Sequence, residues 1–140
     1  MLQCTQVLSF DSAHRIIGHK GKCKMLHGHR YTAELTFEAE KLDEMDMVID
    51  FSFIKKKLKA WLDEHWDHNT ILSIKDKKLG DKITSVTEQK VYYINDHPTA
   101  ESMAHYLLHK VCPLLFQNDK AKCIKVKLYE TPNCYASALL

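Results

Sequence analysis

The sequence predicts an α+β domain, an antiparallel sheet with two helices packed on one of its faces. Three observations carry this expectation. His29, Tyr31, Ala33, Leu35, Phe37 and Ala39 alternate with Arg30, Thr32, Glu34, Thr36, Glu38 and Glu40, and a period of two describes a strand with one dry and one wet face. Residues 51–65 instead repeat their apolar positions at helical spacing, as does the stretch that follows Thr99. The order of elements is roughly β-β-α-β-α-β, with no internal repeat, low-complexity tract or linker, so residues 1–140 read as a single domain.

Residues 2–10 form the first expected strand, with Leu2, Cys4, Leu8 and Phe10 on one parity and Gln6 breaking the pattern. Residues 11–26 read as a loop containing Gly18, Gly21 and the basic residues Lys20, Lys22 and Lys24. The 27–40 strand follows, then a polar turn near Lys41 to Asp46. In the first helix Phe51, Ile54, Leu58, Trp61, Leu62 and His65 share a stripe, Lys55, Lys56, Lys57 and Lys59 mostly oppose it, and Asp50 or Ser52 caps the start. Polar residues 73–85 are expected to form a mobile loop, and Val86–Ile94 a strand. Thr99 is the expected N-cap of the second helix, whose stripe is Met103, Tyr106, Leu107, Val111 and Leu114, with Pro113 near its end. In the last strand, 123–130, Ile124, Val126, Leu128 and Glu130 share a parity, which puts a carboxylate on a core face.

Composition narrows the function classes. A formal charge of +2, with scattered lysines, does not mark a nucleic-acid-binding surface. Five cysteines without a CxxC pair argue against a disulfide framework and a four-cysteine zinc site. The first residues lack the features of a signal peptide and no apolar run approaches membrane-spanning length, so a reducing, cytoplasmic setting is the expectation.

Nine histidines is a high number for this length, and three fall close together. His27 and His29 sit two apart at the mouth of the best strand and so point to one side. His14 supplies a third nitrogen if the first two strands pair as a hairpin. Three protein ligands with a fourth position open is the arrangement of a catalytic zinc, although spacing alone leaves the metal's identity open. Gly28 between the two histidines allows close approach of a substrate or a loop.

Other groups are less specific. Cys23, four residues before His27, suits a base or nucleophile beside a cationic centre. Cys4, Cys112, Cys123 and Cys134 read as small buried residues. Asp67 and His68 could form a proton-shuttling pair, but sequence neighbours rarely pair directly. Glu130 needs a partner on a core face, either a structural one or a ligand with a row of N–H donors. Glu101 sits in a first helical turn, where the helix dipole favours a negative charge. Lys20, Lys22 and Lys24 read as a solvated loop.

Taken together, six segments resemble the 6-pyruvoyltetrahydropterin synthase / 6-carboxytetrahydropterin synthase family. They are Phe10-Asp11-Ser12-Ala13-His14, the run from Cys23 through His27-Gly28-His29 to Tyr31, Val48-Ile49-Asp50-Phe51, Trp66-Asp67-His68-Asn69, Pro98-Thr99-Ala100-Glu101 and Leu128-Tyr129-Glu130-Thr131-Pro132. The resemblance implies zinc, one per subunit, on His14, His27 and His29, with Cys23 as proton acceptor and Asp67 and His68 assisting proton transfer. It implies that Glu130 anchors a pterin ring, with Thr99 and Glu101 as further substrate-binding candidates. It implies the tunnelling fold, in which sheets join into a barrel on oligomerisation, commonly a homohexamer (a dimer of trimers) with active sites at subunit interfaces.

The Cys-x-x-x-His-Gly-His spacing resembles the branch that converts 7,8-dihydroneopterin triphosphate to 6-carboxy-5,6,7,8-tetrahydropterin for queuosine and other 7-deazaguanines, releasing triphosphate and acetaldehyde. Lys22 and Lys24 are possible triphosphate contacts in that scheme. The alternatives are a 6-pyruvoyltetrahydropterin synthase, which eliminates triphosphate without cleaving the side chain, a non-catalytic zinc-binding module, and an interaction protein with core histidines.

Overall fold

The computed structural model describes residues 1–140. Its strands are β1 (Leu2–His14), β2 (His27–Ala39), β3 (Asn69–Ser73), β4 (Tyr92–Ile94), β5 (Lys122–Thr131) and β6 (Cys134–Leu139). Its helices are α1 (Phe51–His65), α2 (Lys77–Thr87), α3 (Ala100–Tyr106) and α4 (Cys112–Phe116), the last two joined by a π-helical turn at Leu107–Val111. One six-stranded sheet runs in the order β4-β3-β1-β2-β5-β6. Strands β1, β2, β5 and β6 pair antiparallel, whereas β3 joins β1, and β4 joins β3, in parallel.

The alternation in β2 does what its pattern dictates. Tyr31, Ala33, Leu35 and Phe37 are completely buried, against Ile54, Leu58, Trp61 and Leu62 of α1 and the inward residues of α3 and α4, all in one core. Both major helical segments therefore lie on the same face of the sheet. Asp50 caps α1, its carboxylate accepting from the Ser52 N–H at 2.6 Å. Thr99 caps α3, its hydroxyl accepting from the Ser102 N–H at 3.2 Å.

Several elements differ from the sequence expectation. β1 continues four residues further, to His14, because Asp11 to His14 stay in register with Arg30 to His27. Residues 73–85 are not a loop: the end of β3, a 3-10 turn at Ile74–Asp76 and most of α2 occupy them. α2 carries a short apolar stripe, Leu79, Ile83 and Val86, but packs it loosely: Leu79 and Ile83 are half-buried, Val86 is exposed and only Gly80 is fully buried. It is stopped by Glu88 in the left-handed conformation, at φ 64°. The expected strand from Val86 shrinks to Tyr92–Ile94. β6 was not anticipated: its half-buried residues, Ala136 and Ala138, are too small to give a strand signal.

Two apolar assignments fail as well. Phe51 is exposed at the first position of α1, before the stripe begins. Leu114 is exposed because the π turn inserts an extra residue, which rotates the stripe onto Cys112 and Phe116. In β5 the register with β2 slips after Thr36, so Cys123 rather than Ile124 faces the core. Cys112 and Cys123 are buried as expected, but Cys4 is only half-buried and Cys134 is exposed on β6.

Candidate active site and metal centre

The strand register builds the histidine cluster. His14 at the end of β1 pairs directly with His27 at the start of β2, and Ser12 pairs with His29. All three imidazoles therefore emerge on the core face at the end of the sheet. One ligand nitrogen from each lies within 4.8 Å of the others.

The hydrogen bonds select the tautomers. His14 Nδ1–H donates to the Pro98 carbonyl at 2.6 Å, and His27 Nδ1–H donates to the Met25 carbonyl at 2.6 Å. A carbonyl only accepts, so each Nδ1 carries the proton and each Nε2 keeps a lone pair. These two Nε2 atoms face each other at 3.1 Å. Two lone pairs at that distance repel unless a cation lies between them. Tetrahedral Zn–N bonds of about 2.0–2.1 Å place ligand nitrogens roughly 3.3 Å apart, so the donor set fits a small divalent metal. Backbone carbonyls on the far nitrogens are the usual means of orienting such ligands. Burial depresses the basicity of His14, against the opposing pull of the Pro98 carbonyl and Glu130, and burial likewise depresses His29. Both imidazoles are thus held neutral, as ligation requires.

Glu130 lies 3.8 Å from His14 Nε2, with its side chain 28% exposed. Its inward parity matches the expectation, and its position is sharpened by a register shift between β5 and β6 from Tyr129 to Thr131, which leaves Glu130 unpaired on the β6 side. Bulges of this kind re-aim a side chain. Cys23 sits half-buried in a 3-10 turn, Lys22–Lys24, and its carbonyl accepts from the Ile16 N–H at 2.7 Å. A cleft of about 230 Å³ brings together His14, Cys23, Thr99, Glu101 and Glu130. Pro98 thus links the histidine cluster to the capped start of α3, which explains why that segment borders the cleft. His19 also lines this cleft; it had no assigned role in the sequence, although its place between Gly18 and Gly21 was a usable signal.

Asp67 and His68 stand elsewhere. They do pair directly, His68 Nδ1 to Asp67 Oδ2 at 2.7 Å, contrary to the rule for sequence neighbours. His68 adopts φ 55° in the turn between α1 and β3, and this left-handed backbone, which His tolerates better than most residues, brings the ring next to the preceding carboxylate. The Asp67 Oδ1 accepts from the Asp11 N–H at 2.8 Å, and the His68 N–H donates to the Asp11 carbonyl at 2.7 Å. Burial would raise the Asp67 carboxyl, but the Asp11 N–H and His68 together hold it below the ordinary range, while the hydrogen bond His68 donates to Asp67 raises His68. The groove around His68 is lined by Asp11, Gly28, His29, Arg30 and Asn69, and not by Cys23 or Glu130. Asp11 and Arg30, cross-strand partners joined at 3.0 Å, belong to the face opposite the core. Gly28 faces the neighbouring strand: a Cβ there would meet the Ser12 carbonyl at 3.3 Å.

A second feature absent from the sequence reading braces the cluster. Arg15, next to His14, makes a bidentate contact to Asp76, with Nε–Oδ2 at 2.6 Å and Nη2–Oδ1 at 2.5 Å. Asp76 is 2% exposed. This pair ties the root of the Cys23 loop to the α2 segment. No helix is long and apolar enough to cross a membrane.

Fold and site together define an α+β protein with a three-histidine centre beside a thiol and a carboxylate. Residues 3–139 match the family model described as 6-pyruvoyl tetrahydropterin synthase, and the chain belongs to that family. It is 50% identical over 135 residues to the 6-carboxy-5,6,7,8-tetrahydropterin synthase of Rickettsia bellii, covering 96% of this chain and 98% of that one. It is 34% identical over 116 residues to the protein of the same name from Aquifex aeolicus, covering 79% of this chain and 71% of the other. Among solved structures, an uncharacterized protein from Wolinella succinogenes shares the fold with a TM-score of 0.81 at 22% identity, over 99% of this chain and 97% of that one. The 6-pyruvoyl tetrahydropterin synthase of Caenorhabditis elegans superposes with a TM-score of 0.71 at 25% identity, over 99% and 95% of the two chains.

Proposed function

We propose that this chain is a zinc-dependent lyase that converts 7,8-dihydroneopterin triphosphate and one water to 6-carboxy-5,6,7,8-tetrahydropterin, with release of triphosphate and acetaldehyde, in queuosine and related 7-deazaguanine biosynthesis. The carrying observation is the single cleft that holds Cys23 and Glu130 beside His14 of the imidazole cluster. The name shared by the relatives at 50% and 34% identity supports the carboxy product over the pyruvoyl one.

His14, His27 and His29 would hold zinc, which would supply Lewis acidity to the side-chain oxygens of the substrate. The Glu130 carboxylate accepts from the N–H edge of the pterin ring, a charge-assisted bidentate contact that fixes the ring's orientation. Thr99 and Glu101, on the cleft wall, border the same ring. Cys23 accepts the carbon-bound proton. His68, made more basic by its hydrogen bond to Asp67, returns a proton.

Cys23 and His68 occupy different clefts of one subunit. This favours an assembly in which the His68 groove of one subunit faces the Cys23 cleft of another. The sheet ends in two edge strands, β4 and β6, and edge-to-edge joining into a barrel, as in a homohexamer, satisfies their unpaired backbone groups. Five free cysteines fit a reducing cytoplasm.

The test is anaerobic incubation of the metal-replete protein with 7,8-dihydroneopterin triphosphate, with and without a chelator, read by mass spectrometry. The expected result is a chelator-sensitive 6-carboxytetrahydropterin. A pyruvoyl product would keep the site and move the chain to the other branch. No turnover by metal-replete protein would overturn the reading.

A further inference from the structure

The Gly18-His19-Lys20-Gly21 segment has no part in the proton transfers above, yet it is built around one ring. His19 and Cys23 hang from the same residue: Ile16 donates its N–H to the Cys23 carbonyl at 2.7 Å and accepts the His19 N–H at 3.1 Å. Gly18 adopts φ 82°, a left-handed turn that glycine makes without strain. The Gly21 N–H donates to His19 Nδ1 at 2.8 Å. A Cβ on Gly21 would meet His19 Cε1 at 3.1 Å, so the glycine leaves room for the imidazole to lie against the backbone. Because Nδ1 accepts, the ring's proton resides on Nε2, which is left as a free donor.

His19 is exposed, whereas His14 in the same cleft is 2% exposed. His19 therefore stands on the rim and His14 on the floor. The cleft's volume, about 230 Å³, is below the roughly 300–1,000 Å³ of a typical small-molecule pocket. A ring and short side chain fit within it, but three phosphates in addition do not. Lys20, Lys22 and Lys24, all exposed, are chain neighbours of His19 and Cys23.

We propose that His19 is a substrate-binding residue that donates from Nε2 to the phosphate chain as it leaves the cleft. This deepens the reading above and rests on it for the substrate's identity. The test uses metal-loaded protein and inorganic triphosphate as the probe, with binding measured by calorimetry. His19→Ala is expected to weaken triphosphate binding about ten-fold, the scale of one hydrogen bond to a charged group. His19→Gln, which restores an N–H donor at similar reach, recovers most of the loss. Gly21→Ala, which displaces the ring, weakens binding in the same direction. His105→Ala, an exposed histidine outside the cleft, leaves it unchanged. In turnover, His19→Ala raises KM with little change in kcat, the signature of lost ground-state binding.

Triphosphate affinity in His19→Ala within about twofold of the parent, a difference well under one hydrogen bond, overturns the proposal, as does an absence of triphosphate binding by the parent protein. The binding readout needs no turnover, so His19-dependent triphosphate binding in a protein that forms no pterin product would uphold this inference while removing the proposed reaction.

Discussion

The cluster of three histidines and the Asp67–His68 pair are built by opposite means. In the first, regular structure does the placing. Strand parity and the His14–His27 register converge three imidazoles, and backbone carbonyls at 2.6 Å fix two of their tautomers. In the second, an irregular turn does it: a left-handed residue folds an exposed imidazole back onto its neighbour's carboxylate. The proposed roles ask for the same difference: metal ligands need rigidity, whereas a proton-transfer pair serving another subunit needs exposure.

The comparison can be broken most sharply at the two chemical groups. Cys23→Ala and His68→Ala should each lower turnover by about 10²–10⁴-fold, the usual range for a positioned acid or base, while metal content measured by atomic absorption stays at the parent level. Loss of metal in either variant would assign the residue to the centre itself.

Next in size is the brace under the first region. Arg15→Met leaves the buried Asp76 carboxylate unpaired and should cost about 3 kcal/mol in denaturant unfolding, the scale for breaking a buried ion pair. Lys77→Met, which breaks the exposed pair with Asp81 at 3.0 Å, should leave stability almost unchanged. Equal effects would show that burial at Asp76 does not set the energetics.

Gly80→Ala sharpens the same point. A Cβ at Gly80 would fall 1.8 Å from the Tyr93 hydroxyl, so either the Tyr93 ring swings away or α2 lifts from β4. A loss of about 1–3 kcal/mol is expected, as for other overpacked sites, with metal affinity unchanged because α2 supplies no ligand.

The smallest effect is spectroscopic. Asp67 raises the His68 pKa, so the His68 imidazole should titrate above its ordinary value of about 6.5 when followed by NMR. Asp67→Asn should return it there. The sign follows from linkage: the contribution of the pair to stability is complete below the unfolded-state pKa and is lost as pH rises through the higher folded-state value. A downward shift in Asp67→Asn relative to free histidine would mean that burial, not the pair, governs the ring.

Legibility in the sequence followed the same division. The alternation of β2 exposed the core face, and with it the side on which His27, His29 and, by hairpin pairing, His14 meet. Thr99 and Asp50 were readable as caps because capping chemistry is local. Glu130 was readable from parity, even though a slip earlier in β5 moved Ile124 off the core face and put Cys123 there. Most of what escaped depended on geometry that leaves no periodic trace. α2 is the exception: Leu79, Ile83 and Val86 recur at helical spacing but stand among polar residues, whereas β6 presents only small residues to its neighbour. The Asp67–His68 contact depends on one positive φ, and the Arg15–Asp76 pair spans sixty-one positions.

The central claim is that these two regions are halves of one active site contributed by different subunits. The most direct measurement mixes Cys23→Ala and His68→Ala proteins after reversible dissociation and follows product formation. If the halves meet across an interface, the inactive pair regains activity, up to about a quarter of the parent level for random mixing in a symmetric oligomer. If Cys23 and His68 must come from the same chain, every mixed assembly still lacks one or the other and no activity returns.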